Sequence, residues 1–236
     1  MLNRLESDSI APAFRTMPVL EADAFCFGMI IHKTKAMKIS TFLTVIGLCA
    51  ALQCFGQEKF WTAADKQSTI DQLVRTRDAV VKETENLTPG QWAFRESPDR
   101  WSIGQIVEHL ALWEIVWFRE LSIGTRNKPQ PELLKTSRPD SYYQEFINEP
   151  NPHKAAEIAA PTGFIQGRDN LTFFLRGREQ TLTFLRSSEA DMRAIFELTG
   201  TPEPRNMHQV LIYQWGHTDR HLRQIMKVKG HVSYPK

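Results

Sequence analysis

Three histidines in this chain have the spacing that a metal site requires. His217 and His221 are four residues apart in a stretch with helical periodicity, so their side chains lie on one face of a helix, one turn apart. Two imidazoles placed in this way can bind the same ion. His109 lies on an earlier predicted helix. If that helix faces the helix of His217 and His221, the His109 imidazole completes a three-histidine site with one coordination position open.

The other histidines downstream of His109 are weaker candidates. His208 lies on roughly the opposite helical face from His217, His153 is in a proline-rich segment, and His231 follows the Gly230 that ends the last predicted helix. A histidine pair at this spacing is also common on helices whose inward histidines are hydrogen-bonded core residues. Spacing alone therefore leaves both a metal site and a purely structural role open.

Four amphipathic helices are predicted to position these residues. Apolar residues recur at three- and four-residue steps in four segments, at about 62–87, 102–124, 169–186 and 206–229. Pro89 and Gly90 are predicted to end the first helix, and Ser102 begins the second with a capping box. No segment has the pattern of a strand. These features predict an all-α four-helix bundle.

A long crossover joins the second predicted helix to the third. Prolines interrupt the segment 125–167 and exclude any long element there. Short helices are predicted near 141–147 and 154–159, and a further short one near 190–198. One long connection of this kind occurs in some four-helix bundles.

Residues 37–56 have the pattern of a secretory signal peptide. A positively charged start precedes an apolar run over 39–52, and Cys54 and Gly56 provide small residues for a cleavage site. The run is shorter than the roughly 20 residues of a transmembrane helix, although an uncleaved membrane anchor is the alternative. Cleavage after Gly56 predicts a protein exported to the periplasm or the extracellular space, with no membrane contact.

The remaining N-terminal residues do not fit a folded domain. Residues 1–36 show little periodicity and are interpreted as a non-native or disordered extension, with translation starting at Met29 or Met37. The domain then comprises residues 57–236. All three cysteines lie before it, so the exported chain has no thiolate ligand or nucleophile. The formal net charge of +2 gives no electrostatic reason to expect a nucleic-acid partner.

Two motifs resemble those of the DinB/YfiT-like superfamily. The stretch 101–110 resembles the first motif and the stretch 215–225 the second. The crossover at 161–163 and the following helical segment with Arg178 also fit, so the resemblance spans nearly all of 60–230. It implies a four-helix bundle of DinB/YfiT-like type with a divalent metal ion bound by His109, His217 and His221.

The metal is expected to be zinc, nickel or iron, since imidazole ligands suit all three. The resemblance implies a metal-dependent hydrolase of an unknown small-molecule substrate, with no catalytic residue assigned beyond the ligands. The alternatives are a thiol-dependent transferase and a non-catalytic metal-binding or interaction bundle. An exported protein would meet little low-molecular-weight thiol, which favours hydrolysis. A homodimer is compatible with the sequence.

Several polar residues near the motifs have two interpretations. Gln214 and Thr218 are expected to orient the metal-binding imidazoles, because they share a helical face with them. Glu108 and Glu114 are near enough in sequence to act as a general base, but we expect them to be solvated or ion-paired. Arg178 interrupts an apolar stripe and is expected to pair with a buried carboxylate rather than an anionic substrate.

Aromatic and basic residues near the motifs also have a structural interpretation. Four tryptophans are expected to fill the core rather than line a pocket, namely Trp101, Trp113, Trp117 and Trp215. A basic run near the end of the last helix is interpreted as a solvated face, namely Arg220, Arg223, Lys227 and Lys229.

Overall fold

The computed structural model describes residues 59–149, 154–197 and 203–236. Within these ranges the chain is helical, with no β-sheet and an isolated bridge between Phe196 and Asn206. The α-helices are α1 (Ala63–Thr84), α2 (Pro89–Ala93), α3 (Ile103–Gly124), α4 (Asp140–Asn148), α5 (Asp169–Ser187) and α6 (Met207–Lys229). Two short 3₁₀ helices span Pro131–Lys135 and Glu157–Ala159.

Four helices begin with a capping box, in which the N-cap side chain and the side chain three residues later each accept a hydrogen bond from the other residue's backbone N–H. The pairs are Thr62–Asp65, Thr88–Gln91, Ser102–Gln105 and Asn206–Gln209. One prediction here was wrong in detail. α1 ends before Pro89, which is instead the first residue of α2, because proline fits the first helical position and Thr88 caps it.

The four long helices form a bundle in which each contacts two neighbours. α3 packs against α5 and α6, and α1 packs against the same two helices from the opposite side. α4 lies outside this bundle on α6, and the 3₁₀ helix Glu157–Ala159 lies against α3. The predicted all-α four-helix bundle is therefore confirmed, and the crossover places two of its short helices beside the histidine-bearing helices.

The core consists of two apolar clusters with a polar layer between them. On α5, Phe174 belongs to one cluster and Leu182 to the other, and the buried Arg178 lies between them in the sequence. The same order recurs on α3, where Ala111 and Trp117 flank the buried Glu114. Buried polar groups are costly without partners. In this layer each helix must therefore provide hydrogen-bond partners for the polar groups of its neighbours.

Arg178 provides these partners, because it forms hydrogen bonds with all three other long helices. Its guanidinium binds both carboxylate oxygens of Glu114 on α3 at 2.7 and 2.9 Å. It also donates to Thr76 Oγ1 on α1 at 2.7 Å and to Thr218 Oγ1 on α6 at 2.9 Å. The expected pairing of Arg178 with a buried carboxylate is thus what the structure contains.

Two short predicted helices differ from the structure. Only Glu157–Ala159 of the predicted 154–159 helix is helical. Residues 190–197 form a turn and the isolated bridge instead of a helix. The cause is local hydrogen bonding: the Asp191 carboxylate accepts from the backbone of Phe60, Trp61 and Arg193, which holds a turn rather than a helix.

The predicted extension 1–36 and signal peptide 37–56 lie outside the described residues. None of the helices in the described ranges is both long enough and apolar enough to cross a bilayer.

Candidate metal centre

The three predicted histidines converge on one point. His109 comes from the first half of α3, while His217 and His221 come from successive turns of α6, which packs against α3. The Nε2 atom of His217 lies 3.3 Å from Nε2 of His109 and 3.1 Å from Nε2 of His221. Each residue offers one nitrogen, and these nitrogens all lie within 4.8 Å of one another.

Hydrogen bonds on the far side of two rings fix their tautomers. His109 Nδ1 is 2.6 Å from the carbonyl oxygen of Ala159, and His221 Nδ1 is 2.8 Å from Oε1 of Gln224. Both partners are acceptors, so each Nδ1 carries the proton and donates. In a neutral imidazole the other nitrogen is then an acceptor. The Nε2 lone pairs of both residues therefore face the centre of the cluster.

These lone pairs need either a hydrogen-bond donor or a cation. His217 could donate a proton from its Nε2 atom to only one of its two neighbours, and its own Nδ1 atom is buried without a hydrogen-bond partner among the described residues. A buried polar atom without a partner is uncommon in folded proteins. A cation bound by the three Nε2 atoms would satisfy all three Nε2 lone pairs, with the proton of His217 then on its unpartnered Nδ1 atom.

The distances fit such an ion. Nitrogen ligands lie about 2.0–2.1 Å from zinc, so two of them at tetrahedral corners are about 3.3 Å apart. The observed separations of 3.1 and 3.3 Å are close to this value. The donor set and its spacing are thus compatible with one divalent ion.

The environment keeps the three imidazoles neutral. Burial, followed by the neighbouring His221 and His109, holds the pKa of His217 well below its usual range. Burial and the nearby His109 lower the pKa of His221 to about 3. Burial also lowers the pKa of His109, against the opposing effect of its hydrogen bond to Ala159. Neutral imidazole is the form that binds metals.

The cluster lies in the wall of an open cleft of about 750 Å³. Trp101 and Trp113 line this cleft beside the histidines, and Trp101 lies 4.9 Å from the His109 ring, centroid to centroid. Trp117 is buried in the core, as expected. Trp101 and Trp113 are half-buried and pack against the core clusters, and they also line the cleft. A small molecule could therefore reach the three imidazoles along an aromatic wall.

The basic run on α6 also borders the cleft. Arg220, Arg223 and Lys227 line it, and Arg220 donates to the backbone carbonyls of Ile147 and Glu149, which ties the end of α4 to α6. The interpretation of this run as a solvated face is therefore wrong for Arg220, because the guanidinium is used to hold α4 in place.

The expectation for Gln214 and Thr218 was also wrong. Gln214 donates to Glu114 at 2.6 Å, and Thr218 accepts from Arg178. The hydrogen bonds found for these two side chains go to the polar layer and the backbone instead of an imidazole, because the buried guanidinium and carboxylate of that layer require partners. The groups that orient the histidines are instead Gln224 and the Ala159 carbonyl.

These two orienting groups differ in how visible they are in the sequence. Gln224 follows His221 by three residues, and that spacing on a helix could have indicated it. Ala159 contributes a main-chain oxygen from the crossover, for which no side-chain pattern exists.

The two candidate bases are both engaged elsewhere. Glu114 is ion-paired with Arg178, as expected, though in the core. Glu108 is buried, 2% exposed, and accepts hydrogen bonds from Thr162 and Gly163. The expectation that Glu108 is solvated or ion-paired is therefore wrong, because backbone and hydroxyl donors satisfy its carboxylate.

The histidines judged weaker candidates stay outside the cluster where the structure describes them. His208 accepts a hydrogen bond from Trp61 Nε1 at 3.1 Å and lies 3.4 Å from Asp140. The ring of His231 packs against Phe94. His153 lies outside the described residues.

Comparisons with known proteins bear on the fold and the family of the chain. No curated protein matches the chain. A solved structure, YfiT from Bacillus subtilis, described as a probable metal-dependent hydrolase with an unusual four-helix bundle topology, matches with a TM-score of 0.52 and 12% identity. The match covers 77% of this chain and 95% of that chain, and at this identity it bears on the fold alone. The family model of the DinB superfamily matches residues 72–225, which is more than half of the sequence. The chain therefore belongs to the DinB superfamily.

Proposed function

We propose that the chain binds one divalent metal ion through His109, His217 and His221 and uses it to hydrolyse a small-molecule substrate in the adjoining cleft. The observation that supports this most directly is the convergence of three neutral imidazoles on one point at the edge of an open cleft. The description of YfiT as a probable metal-dependent hydrolase agrees with the proposal.

The protein residues in this proposal bind and orient. His109, His217 and His221 would hold the ion as three neutral ligands. When bound, it would supply a positive charge that polarises a substrate carbonyl or phosphoryl group and makes water more acidic. His109 and His221 direct their Nε2 lone pairs inward because Ala159 and Gln224 hold their Nδ1 protons. Trp101 and Trp113 offer an apolar surface beside the imidazoles.

Three carboxylates line the cleft together with the imidazoles, those of Glu96, Asp99 and Glu149. Among the described residues, no carboxylate forms a hydrogen bond or ion pair with His109, His217 or His221. The two carboxylates nearest in sequence have other partners: Glu108 accepts from the crossover, and Glu114 binds Arg178 in the polar layer. Proton transfer to a leaving group would therefore fall to solvent or to a carboxylate of the cleft wall, not to Glu108 or Glu114.

An activity screen tests this proposal. The full chain, loaded with zinc, nickel or iron, is assayed on panels of esters, amides and phosphoesters, with chelator-treated protein and His217→Ala as controls. We expect turnover of at least one panel only in the metal-loaded wild-type protein. Turnover that needs an added low-molecular-weight thiol would instead identify a transferase, and silence on every panel would favour a non-catalytic metal-binding bundle.

We also propose that the protein is exported, on the pattern of residues 37–56. Signal cleavage after Gly56 would leave Gln57 at the mature N-terminus. Mass spectrometry of the protein from its native source is expected to find that terminus. A protein that retains residues 37–56 would contradict processing at this position.

A further inference from the structure

Glu108 is a buried carboxylate that is not a ligand in the proposed metal site. It directly precedes His109 on α3 and is 2% exposed. A buried carboxylate normally pairs with a cation or accepts several hydrogen bonds. Among the residues that the structure describes, its hydrogen-bond donors all belong to the crossover segment 159–163, defined as the residues from Ala159 to Gly163.

Three donors of that segment converge on the carboxylate. Oε1 accepts from the backbone N–H of Thr162 at 3.1 Å and from its hydroxyl at 2.6 Å, and Oε2 accepts from the backbone N–H of Gly163 at 2.8 Å. Gly163 has a φ of +72°, a left-handed conformation that glycine adopts without strain. Successive N–H groups can point to one anion in such a turn.

The same segment carries the acceptor for His109. The Ala159 carbonyl is 2.6 Å from His109 Nδ1, and only Ala160 and Pro161 separate Ala159 from Thr162. Pro161 has a fixed φ, which makes this link short and stiff. A displacement of Thr162 from α3 would therefore move the Ala159 carbonyl as well.

We propose that Glu108 is a positioning residue for the metal centre: it fixes the crossover segment 159–163 on α3, so that the Ala159 carbonyl holds His109 in the Nδ1–H tautomer with Nε2 directed at His217 and His221. The proposal rests on the metal site proposed above. Groups that orient metal-binding histidines typically change metal affinity 10–100-fold when they are removed.

His221 provides an internal reference within the same cluster. Its Nδ1 atom is held by Gln224 on its own helix, so its tautomer does not depend on the crossover. A change that loosens the crossover segment should therefore affect His109 and leave His221 unaffected. A general loss of stability would affect both rings.

Imidazole NMR of the full chain with ¹⁵N-labelled histidine tests this difference. Glu108→Gln keeps the side-chain size but turns an amide NH₂ toward backbone donors, and Glu179→Gln, an exposed change on α5, is the control. In Glu108→Gln we expect the His109 Nδ1–H proton to exchange with water at least about tenfold faster, with no change for His221. Zinc affinity should fall about 10–100-fold.

Thr162→Val gives the same test without touching the carboxylate. It removes the hydroxyl donor at 2.6 Å and should produce a smaller shift of the same His109 signal. This variant decides the matter if Glu108→Gln does not fold. An unchanged His109 signal together with unchanged zinc affinity, in whichever variant folds, would overturn the proposal and leave the contact a purely structural one.

Spectra of the metal-free protein separate this proposal from the proposed function. The hydrogen bond from His109 to Ala159 exists without an ion, so its dependence on Glu108 can be measured in metal-free samples. If the wild-type protein binds none of zinc, nickel and iron, the metal site is wrong. Loss of the His109 signal in metal-free Glu108→Gln would still support the positioning role, and its retention would overturn that role.

Discussion

At the residue scale, the chemistry of the cluster depends on which nitrogen of each imidazole carries a proton. Two of the three rings have an acceptor on Nδ1, one from a side chain and one from the main chain. The sequence predicted the three histidines from their types and from family motifs. It did not predict their partners. Gln214 and Thr218 share the correct helical face, but Gln214 donates to Glu114 and Thr218 accepts from Arg178.

Gln224→Ala tests the role assigned to that partner. The substitution removes the acceptor for His221 Nδ1, so the ring can rotate and its Nε2 lone pair is no longer held inward. We expect zinc affinity to fall about 10–100-fold, measured by competition with a chromogenic chelator. Gln180→Ala, the same change at an exposed position of α5, should have no effect. Equal affinities in both variants would contradict the assignment.

At the element scale, the helices are matched to each other through the polar layer. Periodicity placed Arg178 in the inward stripe of its helix, and its charge predicted a buried partner. Periodicity could not choose among the partners, since Thr76, Glu114 and Thr218 come from three different helices that only the folded bundle brings together. The layer therefore defines the relative positions of α1, α3, α5 and α6.

Arg178→Met should strongly destabilise the bundle. It leaves the Glu114 carboxylate buried without its cation, which typically costs about 3–5 kcal/mol, measured as the free energy of unfolding in urea. The double variant Arg178→Met/Glu114→Leu removes both charges and should recover a large part of that loss. If the double variant is as unstable as the sum of the two single ones, the pair is not the coupled unit described here.

At the scale of the whole molecule, the sequence predicted the architecture better than the connections. The four long helices follow from strong periodicity and capping residues, and all four were expected close to their observed bounds. The turn at 190–197 was not, because Asp191 bonds to residues near the start of α1, far away in the sequence. The hydrogen bonds between Glu108 and the crossover were not predicted either, because they also join residues far apart in the sequence.

The pH dependence of global stability should include a contribution from Glu120. Burial and a hydrogen bond with Glu197 raise its pKa from 4.5 to about 7, against the effect of Arg205. Because the folded state binds this proton more tightly, Glu120 stabilises the fold below about pH 4.5, and that contribution is lost as the pH rises through 7.

Glu120→Gln should therefore stabilise the protein in alkaline solution. The amide keeps a donor toward Glu197 without the charge. The free energy of unfolding of the variant, relative to that of the wild type, should therefore rise by about 1–3 kcal/mol from pH 5 to pH 8. Urea unfolding at both pH values measures this gain. A difference between variant and wild type that does not change with pH would show that Glu120 keeps an ordinary pKa.

The central claim is that His109, His217 and His221 bind one metal ion, and metal content tests it most directly. The full chain is purified without a polyhistidine tag from medium containing zinc, nickel and iron, and its metal is measured by elemental analysis. The account predicts near-stoichiometric metal in the wild-type protein and its loss in His109→Ala, His217→Ala and His221→Ala, with His208→Ala unaffected. Metal retained in all three variants, or none in the wild-type protein, would contradict it.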